Sequence, residues 1–368
     1  MSSSTNQKLS RRLRLNWVDS FLIGVRVAAV VFIAIGLVGT IINFANGEGP
    51  TAVAWRDLVV GGIAQGTMYG LIALGYSMVY GVLGFINFAH GEVFMGGAMT
   101  AFFMASYFVE TGLWADSFVI ALILVILSSM FASTVIAVLV ERIAYRRLRN
   151  APRLIPLITS IGVSFFLQYS AAFLFGISNK SFPQPPQGLL NKVDVFGLGW
   201  LLIEGTKLLV IVISVVSMAV LYFIVERTKT GRSMRAVAED KEIAGLMGIN
   251  VDRTIVTTFA VGGAMAGIAG SMWALLFRGV SFNTGFLPGI KAFTAAVLGG
   301  VGNIVGAMLG GLLLGLFEGV GPLLILDGWG IPGVSQLKDV VAFAALVLVL
   351  VFRPSGLLGE RLSVEDRG

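Results

Sequence analysis

The chain has 368 residues, 56% of them hydrophobic and 12% charged, with a formal net charge of +6 and a mean hydropathy of +0.89. A soluble domain carries roughly 25% charged residues, so this composition describes a polytopic membrane protein. No cysteine and a single histidine exclude disulfides, thiol catalysis, Cys-ligated metals and multi-histidine metal centres. The chain also carries no G-x-x-x-x-G-K-S/T phosphate loop, so any fuel for pumping must be burned elsewhere.

Residues 1–14 are polar and basic (Lys8, Arg11, Arg12, Arg14), and the positive-inside rule keeps them in the cytoplasm. Leu15 to Arg26 carries Asp19 and Arg26 among apolar residues and reads as an interfacial helix. Val27 to Ala45 is the first uncharged run, long enough to span about 30 Å of hydrocarbon. Its long polar lead, with no Ala-x-Ala site, argues against a cleaved signal peptide.

Further apolar runs follow at 57–83, 88–109, 117–140, 154–177, 205–225 and 254–277. The loop at 141–150 carries Arg142, Arg146, Arg147 and Arg149, which places it in the cytoplasm. Counting crossings puts the charged island at 226–253 there too. The stretch 178–199, with Pro183, Pro185 and Pro186, then falls outside as an extended loop. A cytoplasmic C-terminus requires an odd number of crossings after Arg278, met by three short runs at 289–301, 303–320 and 339–352. The fold class is therefore all-α, a bundle of roughly 8–10 transmembrane helices, with both termini cytoplasmic.

Glycines recur at four-residue spacing: Gly62, Gly66, Gly70; Gly263, Gly267; Gly306, Gly310; Gly311, Gly315, Gly319. Such spacing lets helix backbones approach closely in lipid. It serves packing within one bundle or a subunit interface equally well.

The segment from Gly81 to Gly97 groups Asn87, His90 and Glu92 in apolar, glycine-rich surroundings. Two readings are open. The residues form a solvated turn between two spans, or a bent helix that lines a route, since polar groups at membrane depth face cavities or one another. His90 as a proton relay lacks an evident partner. A partial echo at Ser281 to Gly289, with Asn283 just before a small-residue helix, suggests an internal repeat of the kind found in transporters. Lys291, Glu318 and Asp327 are further charges at or near a pathway, and pairing or an interfacial position accounts for each.

The island from Glu226 to Arg253 is long for a connection between packed helices. Good helix formers from Met234 to Met247, with Ser233 as N-cap and Gly248 at C′, predict a surface helix. Arg235, Glu239, Asp240, Lys241 and Glu242 supply its charge, and Met234, Val237, Ala238, Ala244 and Met247 a partial apolar face. That face would dock in a groove of a soluble partner; a plain solvated loop is the alternative.

The run from Gly231 to Asp240 (GRSMRAVAED), followed by Ala244, Gly248, Ile249, Asn250 and Arg253, resembles the cytoplasmic coupling loop of bacterial ATP-binding cassette importer permeases. More narrowly, it is similar to the LivH-type permeases for branched-chain amino acids. Three other segments share the likeness: Tyr76 to Gly81 continuing to Asn87–Glu92, Ala296 to Asn303, and Arg353 to Leu357. Urea and short-chain amide permeases are close relatives of that family.

The resemblance implies three regions: a basic head with an extra span at 1–56, a permease domain at 57–358, and a cytoplasmic tail at 359–368. It implies a transport subunit of a bacterial inner membrane, without an ATPase site or cofactor of its own. ATP and Mg²⁺ would be bound by two cytoplasmic ATPase subunits gripping Arg235, Ala238, Glu239, Asp240, Ala244, Gly248 and Ile249. A second, related permease and an extracytoplasmic binding protein would complete the assembly. Leucine, isoleucine or valine would pass near Asn87, His90, Glu92, Asn283 and Lys291, with helix ends and groups such as Glu92 or Lys291 compensating the zwitterion. A stand-alone channel or secondary carrier is the alternative of another class. A structural or receptor protein fits poorly, for want of a soluble domain.

Overall fold

A computed structural model describes residues 17–47, 49–149, 151–152, 154–186, 190, 192–194 and 202–359. The basic head at 1–14, the side chain of Asp19, much of the loop at 187–201 and the tail from 360 lie outside the described residues. Nine helices among the described residues are long and apolar enough to cross a membrane.

The first helix, α1 (Trp17–Ala45), is continuous, where the sequence suggested an interfacial helix and then a span. No breaker separates Arg26 from Val27, and Arg26 donates to the Val351 carbonyl at 2.6 Å. The rest of α1 is largely exposed. It touches the body where Gly36 and Gly39 meet the backbone of Ile325 and Gly328, and where Phe32 stacks on Trp329 at 4.8 Å.

Next come α2 (Ala52–Leu83), α3 (His90–Glu110) and α4 (Phe118–Val140). Thr51 caps α2 through the Ala54 N–H, and Gly84, at φ +78°, ends it in the left-handed conformation. A π turn (Glu141–Tyr145) and a 3-10 turn (Arg146–Leu148) prolong α4. Beyond it lie α5 (Leu154–Phe175) and α6 (Gly205–Arg227).

The island folds as two helices, α7 (Lys229–Glu239) and α8 (Lys241–Leu246). This corrects the single helix expected from Met234 to Met247. Thr228, not Ser233, caps the first by accepting from the Gly231 N–H. Asp240 accepts from the Glu242 and Ile243 N–H groups, so it starts the second helix and breaks the first. An aspartate at that position competes for the backbone as caps do. Gly248 does take the left-handed C′ position, at φ +83°, with Ile249 donating back to the Ala244 carbonyl.

Then follow α9 (Val251–Phe277), α10 (Phe286–Gly299), α11 (Ile304–Gly321) and α12 (Lys338–Phe352). A π turn (Pro322–Leu326) and a 3-10 turn (Asp327–Trp329) prolong α11. It therefore runs well past the residue 320 that the apolar run suggested. At 14 residues, α10 is about 21 Å long and cannot span about 30 Å of hydrocarbon alone. It completes a broken crossing. The short strands β1 (Lys180–Ser181) and β4 (Gly279–Val280) pair on the face where α5 and α9 end. From there the turn at 281–285 descends to α10, whose far end meets the chain's last described residues through Leu358 N–H to Gly299 O. A second pair, β2 (Lys192–Asp194) with β3 (Leu202–Glu204), precedes α6.

An inverted repeat organises these elements. In α2–α5 and again in α9–α12, a long helix is followed by a non-helical break, a helix starting inside the bundle, a helix prolonged by π and 3-10 turns, and a final helix. The first helices run in opposite directions, because α2 ends near the α7–α8 elbow that α9 leaves. Each packs on the other repeat: α2 on α11, and α9 on α4. The echo between Asn87 and Asn283 falls at the two breaks.

The spaced glycines serve this internal packing, which settles their role within the bundle. A Cβ on Gly66 would lie 2.9 Å from Leu312 Cα, and one on Gly267 2.7 Å from Met130 Cα. Without a driving hydrophobic effect between helices in lipid, such close backbone contact is what holds them.

Candidate functional site

The break between α2 and α3 climbs into the bundle. Gly84 turns the chain back, and by His90 it lies beside Gly75, eight residues before the end of α2, where a Cβ would meet His90 Cε1 at 2.6 Å. Asn87, His90 and Glu92 are all buried, which overturns the solvated-turn reading. Broken backbone at this depth must satisfy its polar groups internally. Asn87 Oδ1 does so by accepting from Tyr145 Oη at 2.6 Å and from the Ala89 N–H at 3.2 Å. The His90 ring packs edge-on against Tyr76, centroids 4.9 Å apart.

Glu92 sits in the first turn of α3 and is 1% exposed. Its Oε1 accepts from Ser164 Oγ at 3.4 Å, while Oε2 has no hydrogen-bond partner. Opposite, the start of α10 approaches so closely that a Cβ on Gly289 would lie 2.9 Å from Gly91 Cα. Between α2, α3, α5 and α10 a cavity of about 320 Å³ opens onto Glu92, Ser164 and Tyr76, with walls of Phe88, Ile161, Phe165, Phe286 and Ile290.

The other two proposed pathway residues stand apart from this cavity. Asn283 is exposed in the turn before α10 and accepts from Ser281 Oγ at 2.6 Å. Lys291 is buried on another face of α10, with Nζ at 2.7 Å from both Glu318 and Asp339. Glu318 also accepts from Gln65 at 2.8 Å and Tyr69 at 3.0 Å. Asp327 accepts from Asn43 through its backbone carbonyl.

The α7–α8 elbow forms a second candidate region. Arg235 donates to Glu226 Oε2 at 2.7 Å and to the Val225 carbonyl at 2.8 Å, tying α7 to α6. Lys241 donates to the Leu83 carbonyl at 3.2 Å. Val237 and Ala244 share a buried cluster with Val82, Leu83, Phe85 and Tyr145, and Met234 is buried in the main core. The apolar face expected to dock outward is therefore largely turned inward. Of its five residues only Ala238 and Met247 are exposed. They are joined outside by Ile243 and by Leu246, which is 87% exposed. Glu239 and Asp240 border a groove of about 520 Å³ at the corner between the helices.

The family model for the branched-chain amino acid transport system / permease component matches residues 58–350. The chain is 42% identical to the high-affinity branched-chain amino acid transport system permease protein BraD of Pseudomonas aeruginosa, over 84% of this chain and 98% of that one. It is 38% identical to the permease protein LivH of Escherichia coli, over 81% of this chain and 94% of that one. The chain belongs to this permease family. A partial likeness, 28% identity over 45% of this chain and 48% of the other, reaches the fructose import permease protein FrcC of Rhizobium meliloti.

In this permease the polar residues near the break include several that sequence reasoning passed over. Tyr145, which holds Asn87, lies 58 positions away, and only its place among the arginines of a short loop sets it apart. Ser164 signals itself faintly, as one of few polar residues in the run 154–177. Ile243 and Leu246 stand out as large aliphatic residues in a charged island, and their exposure gives that pattern its meaning.

Proposed function

We propose that this permease is the membrane-spanning subunit of an ATP-driven importer of branched-chain amino acids. Its partners would be a second related permease, two ATPase subunits on the side of α7–α8 and a binding protein on the opposite side. The observation that carries the reading is the α7–α8 elbow: a pair of short helices between two spans with aliphatic side chains facing outward. BraD and LivH are named as permease proteins of high-affinity branched-chain amino acid transport systems. By the positive-inside rule the arginines at 142–149 support a cytoplasmic elbow side, and counting crossings from there would make both termini cytoplasmic.

The coupling route follows from the packing. A push on α7–α8 would reach the end of α2 through Lys241 and the cluster around Val237, and from there the break at 84–89. The break carries Asn87 and leads into His90 and Glu92, so movement at the elbow would reshape the cavity beside them. Two discrete arrangements of a packed element are what such coupling needs. Arg235, Ala238, Glu239, Asp240, Gly248 and Ile249 would shape the docking elbow, with Ala244 anchoring it from within.

The test is purification of the tagged permease from its own host in mild detergent, then reconstitution with whatever accompanies it. A P-loop ATPase and a second permease, with ATP-dependent leucine uptake when the binding protein is added, are expected. A chain that moves solute in liposomes alone is instead a carrier or channel.

A further inference from the structure

The cavity beside Glu92 contains an unresolved charge problem. Among the residues lining it, Glu92 alone bears a charge. It is 1% exposed, and one carboxylate oxygen lacks any hydrogen-bond partner. The buried acid Glu318 contrasts with it, being met by Lys291, Gln65 and Tyr69. A carboxylate left so at membrane depth is costly, and such residues pair or line a path for cargo. Two features lessen the cost without removing it. Glu92 lies in the first turn of α3, and a Cβ on Gly285, at the start of α10, would lie 2.7 Å from its Oε2. Both helix N-termini carry partial positive charge.

We propose that Glu92 is the acceptor for the ammonium group of an aliphatic amino acid in transit, in a site built between α2, α3, α5 and α10. The proposal rests on the importer reading and names the cargo's contact within it. Three complementary surfaces meet in the cavity. The Glu92 carboxylate takes the ammonium group, with Ser164 fixing Oε1. Phe88, Ile161, Phe165 and Ile290 form an apolar wall for a branched side chain. The positive N-terminal end of α10 faces the cargo's carboxylate. At about 320 Å³, the cavity stands at the small end of ligand sites, which span about 300–1,000 Å³. One strong contact suits a transit site, since a cargo held by many would not leave.

Because the chain has no cysteine, Ile161→Cys gives a single reporter on the half-exposed side of the cavity. In the reconstituted full complex, leucine and isoamylamine, which keep the ammonium group, should slow maleimide labelling of that cysteine at least threefold. 4-Methylpentanoate, which lacks it, should not. Adding Glu92→Gln should abolish the protection, and Glu92→Asp should restore part of it. In complexes without the cysteine, Glu92→Gln should lower leucine uptake at least tenfold while ATP hydrolysis and subunit recovery persist. If wild-type uptake is robust and Glu92→Gln matches it within twofold, or if 4-methylpentanoate protects as well as the amine, the assignment falls and the importer reading stands. A wild-type complex that takes up no branched-chain amino acid overturns that reading, and the cargo assigned here with it.

Discussion

Lys291 and Glu318 form an ion pair of 2.7 Å that is almost wholly removed from solvent and joins the half-length α10 to α11. Asp339 reaches Lys291 at 2.7 Å from α12, and Lys338 approaches Glu318 at 3.8 Å. The two central charges are buried, whereas Asp339 and Lys338 are 41% and 49% exposed. The inner pair therefore dominates the network, and the outer two are partly screened. It fixes a helix too short to hold its place by span length.

Removing Lys291 leaves the buried Glu318 its hydrogen bonds from Gln65 and Tyr69 but only the half-exposed Lys338, at 3.8 Å, as a countercharge, which costs up to roughly 3 kcal/mol. Lys291→Met should therefore lower the unfolding midpoint in detergent by several degrees. The double variant Lys291→Met with Glu318→Gln should recover most of the loss, since it leaves no buried charge of the pair behind and Asp339 and Lys338 are partly solvated. Thermal unfolding followed by size-exclusion recovery reads both. A double variant as unstable as the single one would mean that these charges matter through packing rather than pairing.

Two glycines five residues apart in α2 should behave oppositely. A Cβ on Gly66 would lie 2.9 Å from both Leu312 Cα and its carbonyl oxygen, whereas one on Gly61 meets nothing within 4 Å. Backbone on both sides cannot yield, so Gly66→Val should separate α2 from α11 and abolish recovery of folded protein. Gly61→Ala should be neutral, or stabilising by up to about 1 kcal/mol through helix propensity. Expression and unfolding midpoint of the two variants side by side decide it.

Much of the bundle was legible from hydropathy, because lipid obliges a spanning helix to be long and apolar. The misreadings share a cause: one-dimensional composition does not tell which way a side chain points. Met234, Val237 and Ala244 carry the amphipathic signal of a docking helix, yet that signal reports burial against the chain's own α2, α6 and α9. The break at 84–89 looked like a loop because turns and intramembrane breaks use the same glycines and asparagines. Its depth depends on His90 meeting Gly75, a contact that spacing does not encode. The turns prolonging α11 to Trp329 hide behind Pro322 and Asp327, residues that ordinarily end a span. By contrast Gly248 was readable, since few residues but glycine end a helix at φ +83°.

Tyr145 donates to Asn87 at 2.6 Å and pins the intramembrane break to the end of α4. Tyr145→Phe keeps the ring contacts with Phe85 and Phe259 and leaves Asn87 Oδ1 accepting from Ala89. It should cost about 1 kcal/mol, the net worth of one buried hydrogen bond. Asn87→Leu should cost more, because it deprives both the Tyr145 hydroxyl and the Ala89 N–H of their acceptor. The order of the two unfolding midpoints is the check. Equal midpoints would show that the break holds its place without this link.

The last prediction separates the inner and outer faces of the α7–α8 elbow. Val237 is 1% exposed and packs on the end of α2, while Leu246 and Met247 are 87% and 78% exposed and touch little of their own chain. Val237→Asp buries an unpaired charge and should prevent folding outright. Leu246→Asp together with Ile243→Asp places charges in solvent, so the permease itself should fold and melt as the wild type does. If the outer face docks an ATPase subunit, as aliphatic anchors at interfaces do, that double variant should lose the subunit on purification. ATP-dependent uptake should vanish with it, though the second permease still co-purifies. Retention of the ATPase would move the docking surface to the groove beside Glu239 and Asp240, where Glu239→Arg should then release it.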